Sequence, residues 1–152
     1  MTSGPSIFLV DTNVLVYMYD QNEPAKRERA LAVYERLLAL GAGALSVQVL
    51  NEFFNATTRK LKPHLPIADA IEIVTDLCRA WRILDVQAEQ VLDAVRAVDA
   101  YKLSYFDALI WASARQHNIP FLLSEDFNTG QIIEGVRFIN PFAPDFDVSI
   151  LS

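Results

Sequence analysis

The spacing of apolar residues along this chain switches repeatedly between a short continuous run and a helical period, and the switches lay out the elements. Residues 7–10 (IFLV) are too few for a helix and show no alternation, as in parallel strands covered on both faces. A short strand is predicted there, with Asn13 capping a short helix after it. Pro24 suits a first helical turn and Gly41 a helix end, so a helix is predicted over 24–40. "GALS" then gives a second small strand, and Ser46 can cap the helix "VQVLNEFFNATTRK". Helical periods recur over 67–80, over 87–100 and from Ser104 to about His117. "WRILDV" is a weaker strand, "IPFLL" and "VRFIN" are two more, and "SEDFNTG" is a turn-rich loop.

Strands alternating with helices imply a parallel sheet covered on both faces. The expected fold is a three-layer α/β/α arrangement around a central parallel sheet of about five strands. A chain of 152 residues is expected to form one domain over 1–152, its core about 7–141 between short tails. A tail with Pro141 and Pro144 follows the last strand.

Composition narrows the chemistry. The lone cysteine, Cys78, excludes an internal disulfide and a thiolate zinc knuckle, and its place in "IEIVTDLCRA" reads as a buried thiol. "MTSGPS" carries neither a basic region nor an apolar stretch, and no apolar run approaches a membrane span, so a cytoplasmic location is expected. The net charge of −6 gives no overall attraction for nucleic acid. A polyanionic substrate would need the basic clusters "KRER" (26–29) and "RKLK" (59–62), or metal ions held by the excess acids.

Those acids sit at telling places. In open parallel sheets, ligands bind in the crevice outside the carboxyl ends of the strands. Asp11 lies at such an end, where an acid can also serve simply as a helix N-cap. Glu52 is the one charge on a polar stripe with Gln48, Asn51 and Asn55; Gln48 and Asn51 read as a solvated face. Asp107 completes a capping pattern with Ser104, yet apolar residues surround it in "LSYFDALIWASA". Asp126 follows the strand "FLL" after Ser124 and Glu125, and Asp85 stands similarly after "RIL". Spacing neither excludes Asp85 nor chooses Asp126 over Glu125. Two carboxylates about 4 Å apart repel by roughly 4 kcal/mol at an effective dielectric near 20. A fold that gathers such acids needs protons, bases or cations, and an all-oxygen set suits Mg²⁺ or Mn²⁺.

"FLVDTNVLVY", "LSVQVLNEFF", "LSYFDALIWASA" and "FLLSEDFNTG", in this order, resemble the PIN domain, particularly VapC-like toxins of bacterial toxin–antitoxin pairs, from about residue 7 to 141. The resemblance implies a metal-dependent ribonuclease with Asp11, Glu52, Asp107 and Asp126 as an acidic quartet holding the metal, and it favours Asp126 over Glu125 and Asp85. It also implies Asn13, Ser46 and Asn128 as supporting polar positions, homodimerisation, and inhibition by a small antitoxin whose tail covers the groove. The implied reaction is hydrolysis of an RNA phosphodiester to a 5′-phosphate and a 3′-hydroxyl, in which Asp11 and Asp107 are the principal ligands while Glu52 and Asp126 orient the attacking water. Tyr17, Tyr19, Lys26, Arg27, Arg59 and Lys62 are candidates for contacting the RNA.

Two other readings compete. A haloacid-dehalogenase-like phosphatase also places an acid after its first strand, but its DxDxT pattern is missing, since Asn13 stands where the second acid belongs. A catalytically silent domain that binds RNA or a partner chain would have no need of all four acids. Histidine acid–base catalysis is disfavoured, because His64 and His117 read as surface residues in a loop and at a helix end.

Overall fold

The computed structural model describes residues 4–152. Strand β1 (Phe8–Val10) lies in the middle of the sheet, paired in parallel with β2 (Gly43–Ser46) on one side and β4 (Phe121–Leu123) on the other. Beyond β2 lies β3 (Arg82–Leu84), and beyond β4 lies β6 (Val136–Ile139), both parallel to their neighbours. These five strands are the expected parallel sheet. A sixth, β5 (Ile132–Ile133), pairs antiparallel with β6 and makes the sheet mixed, in the order β3-β2-β1-β4-β6-β5.

Sequence periodicity has no purchase on a two-residue strand, which is why no element was expected at β5. Its turn is nonetheless written locally. Glu134 and Gly135 both adopt positive φ, 47° and 86°, as a two-residue hairpin loop of the favoured twist requires. Trp111 donates its indole N–H to the Ile133 carbonyl at 3.1 Å, and Glu134 receives Arg96, Arg115 and the Tyr101 hydroxyl. Both guanidinium groups also reach Asp93, whose buried carboxylate is thereby paired at 2.7 and 2.9 Å.

The helices are α1 (Thr12–Tyr17), α2 (Pro24–Leu40), α3 (Val47–Asn55), α4 (Ile67–Ala80), α5 (Ala88–Tyr101) and α6 (Tyr105–Gln116). Pro24 does open α2, and Gly41, at φ 61°, closes it. Ser46 caps α3 by accepting the Val49 N–H at 3.2 Å. Helix α3 runs on as a π-helical turn, Ala56–Lys60, a widened winding that often marks functional sites. Helix α6 packs on α5 and against β4 and β6, and its Trp111 and Ile110 are fully buried in one hydrophobic cluster with Leu9, Leu45, Leu122 and Phe138. No helix among the described residues is long and apolar enough to cross a membrane.

Three expectations need correction. Cys78 is exposed: α4 buries Ala70 and Leu77, so Cys78 turns outward with Ile67 and Ile71, which are 63% and 55% exposed. An apolar period identified the helix without fixing which side meets the sheet. The segment after Pro141 is no loose tail, because Arg29 donates to the Pro141 carbonyl, Arg36 donates to that of Leu151, and Leu151 is fully buried. Finally, the N-cap of α1 is Asp11, and Asn13 lies within the helix.

Gly43 shows how tightly the β2 end is packed. A Cβ there would overlap the indole of Trp81, itself buried and tilted against Tyr34 at 5.3 Å. Gly43→Ala is expected to destabilise by about 1–3 kcal/mol through overpacking, read as a lower denaturant midpoint at unchanged slope. An unchanged midpoint would mean that Trp81 swings aside freely.

Candidate metal centre

The chain runs from β1 outward through β2 to β3, then crosses back to place β4 on the other side of β1. The carboxyl ends of β1 and β4 therefore flank the point where strand order reverses, where open sheets leave a crevice. Asp11 follows β1 directly, and Ser124, Glu125 and Asp126 follow β4. Helices α3 and α6 contribute Glu52 and Asp107 to the same cavity, whose volume is about 570 Å³. Carboxylate oxygens of Asp11, Asp107 and Asp126 all lie within 4.8 Å of one another. Glu52 lines the cavity outside that close group, and its Oε1 is buried with no hydrogen-bond partner.

Asp11 is held at both oxygens. Its Oδ1 accepts the Thr12 N–H at 2.7 Å, and its Oδ2 accepts the Ser124 hydroxyl at 2.7 Å. The Ser124 oxygen in turn accepts the Asp126 N–H at 3.1 Å and the Asn13 amide at 3.3 Å. Asp11 is thus at once the N-cap of α1 and part of the cavity wall. Ser124, fully buried, was not singled out from the sequence; its position as the first polar residue after "FLL", matching that of Asp11 after "FLV", was the available signal.

Burial pushes the Asp11 carboxyl up to about 7, against the Ser124 and Thr12 hydrogen bonds and helped by the charges of Asp126 and Glu52. Burial also raises Glu52, with Gln48 opposing and Asp107 and Asp126 adding to the rise. Asp107 is raised chiefly by burial, with the Ser104 hydroxyl opposing and Asp126 adding to it. Ser104 makes no side-chain bond to the helix backbone, so the capping pattern that competed for Asp107 is not formed. Asp93 offers the contrast: the other buried carboxylate among the described residues has two arginine partners, whereas no lysine or arginine forms an ion pair with Asp11, Asp107 or Asp126. Converging carboxylate oxygens with no protein cation fit a hard divalent ion, for which oxygen donors are preferred.

Other residues fall elsewhere. Glu125 turns away from the acids to accept the Tyr17 hydroxyl at 2.6 Å and Lys26 at 3.0 Å. Asp85 is exposed beyond β3, two strands from β1. Ser46 caps α3 and Asn128 is exposed, and neither lines the cavity. Of the candidate RNA contacts, Tyr17 and Lys62 line the cavity, joined by Lys60 from the π-helical turn. Lys26 is tied to Glu125, Arg27 donates to the Met18 carbonyl, and Tyr19 packs on Phe53. Arg59 is exposed outside the cavity wall. His64 is exposed, while His117 is partly buried, its Nδ1 2.9 Å from the Ser113 carbonyl oxygen. Gln48 contradicts the solvated reading: it is buried and lines the cavity. Asn51, one residue before Glu52, is exposed as expected.

Solved structures share this fold. A toxin–antitoxin complex from Klebsiella pneumoniae contains a chain 20% identical to this one, with a TM-score of 0.61 over 88% of this chain and 97% of that one. A DNA-bound VapBC from Salmonella typhimurium gives 18% identity and a TM-score of 0.63 over 88% and 96%. A sarcin-ricin loop cleaving VapC toxin of Mycobacterium tuberculosis gives 19% and 0.59 over 76% and 86%. No curated protein sequence matches the chain. The PIN domain model, however, matches residues 8–132, a span that opens with β1, takes in Asp11, Glu52, Asp107 and Asp126 and reaches β5, so the chain belongs to the PIN domain family.

Proposed function

We propose that the protein is a divalent-metal-dependent endoribonuclease and the toxin of a type II toxin–antitoxin pair. The observation that carries this reading is the convergence of Asp11, Asp107 and Asp126, without a protein cation, at the reversal point of the sheet. Family membership supports a nuclease, and the Klebsiella and Salmonella neighbours, being toxin–antitoxin assemblies, support a small antitoxin as partner. The neighbour named for cleaving the sarcin-ricin loop supports an RNA substrate. A cytoplasmic homodimer belongs to the same proposal.

In this mechanism Asp11 and Asp107 would hold Mg²⁺ or Mn²⁺, with Asp126 and Glu52 completing the acid wall. A cation held there would supply a water of lowered pKa and neutralise charge on the phosphate. Ser124 and the Thr12 N–H fix the Asp11 carboxylate, so its orientation is set before substrate arrives. The Glu125–Tyr17–Lys26 cluster anchors the residue before Asp126. Glu52 and Asp126 orient the attacking water, and the ammonium groups of Lys60 and Lys62 on the cavity wall meet the phosphates of the strand. Neither histidine lines the cavity, so proton transfer falls to the carboxylates and water.

Asp11→Asn is expected to lower Mn²⁺-dependent RNA cleavage by more than the roughly 10–100-fold that loss of an outer-shell partner costs. Gel analysis with Mn²⁺ and with EDTA reads the effect, and equal cleavage under every condition would overturn the metal mechanism. Turnover of a small phosphate ester with RNA left intact would instead support the phosphatase reading.

The raised Asp11 carboxyl sets a pH dependence. Folded Asp11 keeps its proton to about pH 7, whereas the unfolded chain releases it near 3.8, so between these values the folded state binds more protons. Metal-free stability should therefore fall as pH rises through that window, and Asp11→Asn should flatten the slope. Identical slopes for the two proteins in urea unfolding series would contradict the assignment.

Asp107→Asn should leave metal-free stability unchanged or raise it while abolishing cleavage, because one repelling charge is removed. A loss of several kcal/mol in metal-free unfolding would make Asp107 a structural residue instead.

A further inference from the structure

Among the polar groups on the cavity wall, Gln48 has a bonding demand that ionised acids do not meet. It lies one helical turn before Glu52 on α3 and faces the same cavity, although it is only 7% exposed. Its Nε2 donates to the Phe106 carbonyl at 2.9 Å. A carbonyl oxygen only accepts, so this bond fixes the amide with nitrogen toward Phe106 and oxygen away from it. That oxygen, Oε1, is buried without a partner. A buried unpaired acceptor costs on the order of 1–3 kcal/mol, so a donor is wanted there. The neighbouring carboxylates offer only acceptors in their ionised forms.

We propose that Gln48 selects RNA over DNA by accepting a hydrogen bond from a 2′-hydroxyl of the strand bound in the cavity. The inference rests on the ribonuclease reading and deepens it by naming the group that is recognised. Phosphate and ring oxygens along a nucleic-acid backbone accept hydrogen bonds, and the 2′-hydroxyl is the backbone donor, present on every ribonucleotide and missing from DNA. A neutral amide is suited to this task because it reads a hydroxyl without adding charge beside Asp11, Asp107 and Asp126. When a deoxynucleotide occupies the position, Oε1 stays unpaired, and that unmet demand is the source of discrimination.

The test pairs a substrate change with a protein change. An RNA oligonucleotide spanning a cut site mapped with the wild-type protein is compared with the same oligonucleotide carrying 2′-deoxy at each nucleotide flanking the cut, all with Mn²⁺. Wild type is expected to lose about tenfold in kcat/KM at one deoxy position, the worth of one hydrogen bond. Gln48→Met, close in shape and without hydrogen-bonding groups, is expected to cleave RNA at least as slowly as wild type cleaves the deoxy substrate, and to treat the two substrates alike. Loss of the Phe106 bond slows both substrates equally and so cancels from the comparison. Gln48→Glu keeps an acceptor oxygen, so its residual activity should retain the preference for the 2′-hydroxyl. If wild type cuts RNA and Gln48→Met keeps the full deoxy penalty, the inference is overturned while the ribonuclease reading stands. If wild type leaves RNA intact with Mn²⁺, the ribonuclease reading falls and takes the inference with it.

Discussion

Electrostatic repulsion among acids gathered at one edge of the sheet is the constraint around which this molecule is arranged. Three carboxylates with oxygens within 4.8 Å of one another, one of them buried, cannot all be ionised without compensation. Burial is the first cost to Asp11, and the charges of Asp126 and Glu52 add to it. Asp93 shows how the same chain neutralises a carboxylate when the purpose is structural: two arginines reach it, and the cluster ties α5 and α6 to the β5–β6 hairpin. Among the described residues no such partner reaches Asp11. The difference between these two buried acids is what the proposed metal site at Asp11 rests on.

The scaffold explains why the acids meet although they are far apart in sequence. The return of the chain from β3 to β4 brings residues 124–126 beside Asp11, and α3 and α6 close the crevice with Glu52 and Asp107. Short strands suffice because two of them end directly before the residues that meet at this edge: Val10 before Asp11, Leu123 before Ser124. The widened turn after α3 brings Lys60, Leu61 and Lys62 to the same wall, mixing positive charge into an otherwise acidic cavity.

Much of this was legible in the sequence because local signals were strong. Pro24 and Gly41 bound α2, the period over 67–80 matched α4 to the residue, and acids after strands pointed to one edge. What stayed hidden depended on direction and on pairing across space. Periodicity could not tell that Cys78 faces out or Gln48 in, since each turns on which side of its helix meets the rest of the fold. Neighbouring Glu125 and Asp126 were indistinguishable in the residues alone; their separation depends on Tyr17 and Lys26, about a hundred positions away, which draw Glu125 to themselves. The hairpin strand β5 was too short to carry a pattern at all.

The account turns on a cation relieving the repulsion at this edge, and thermal unfolding of the purified protein against Mn²⁺ concentration tests that most directly. A ligand bound only by the folded state raises the midpoint progressively with its concentration. The midpoint of the wild-type protein should climb with Mn²⁺ and return on chelation, while Asp11→Asn and Asp107→Asn should respond weakly. A wild-type midpoint indifferent to Mn²⁺ at millimolar concentration, or one that rises equally in both variants, would contradict a metal centre built from these acids.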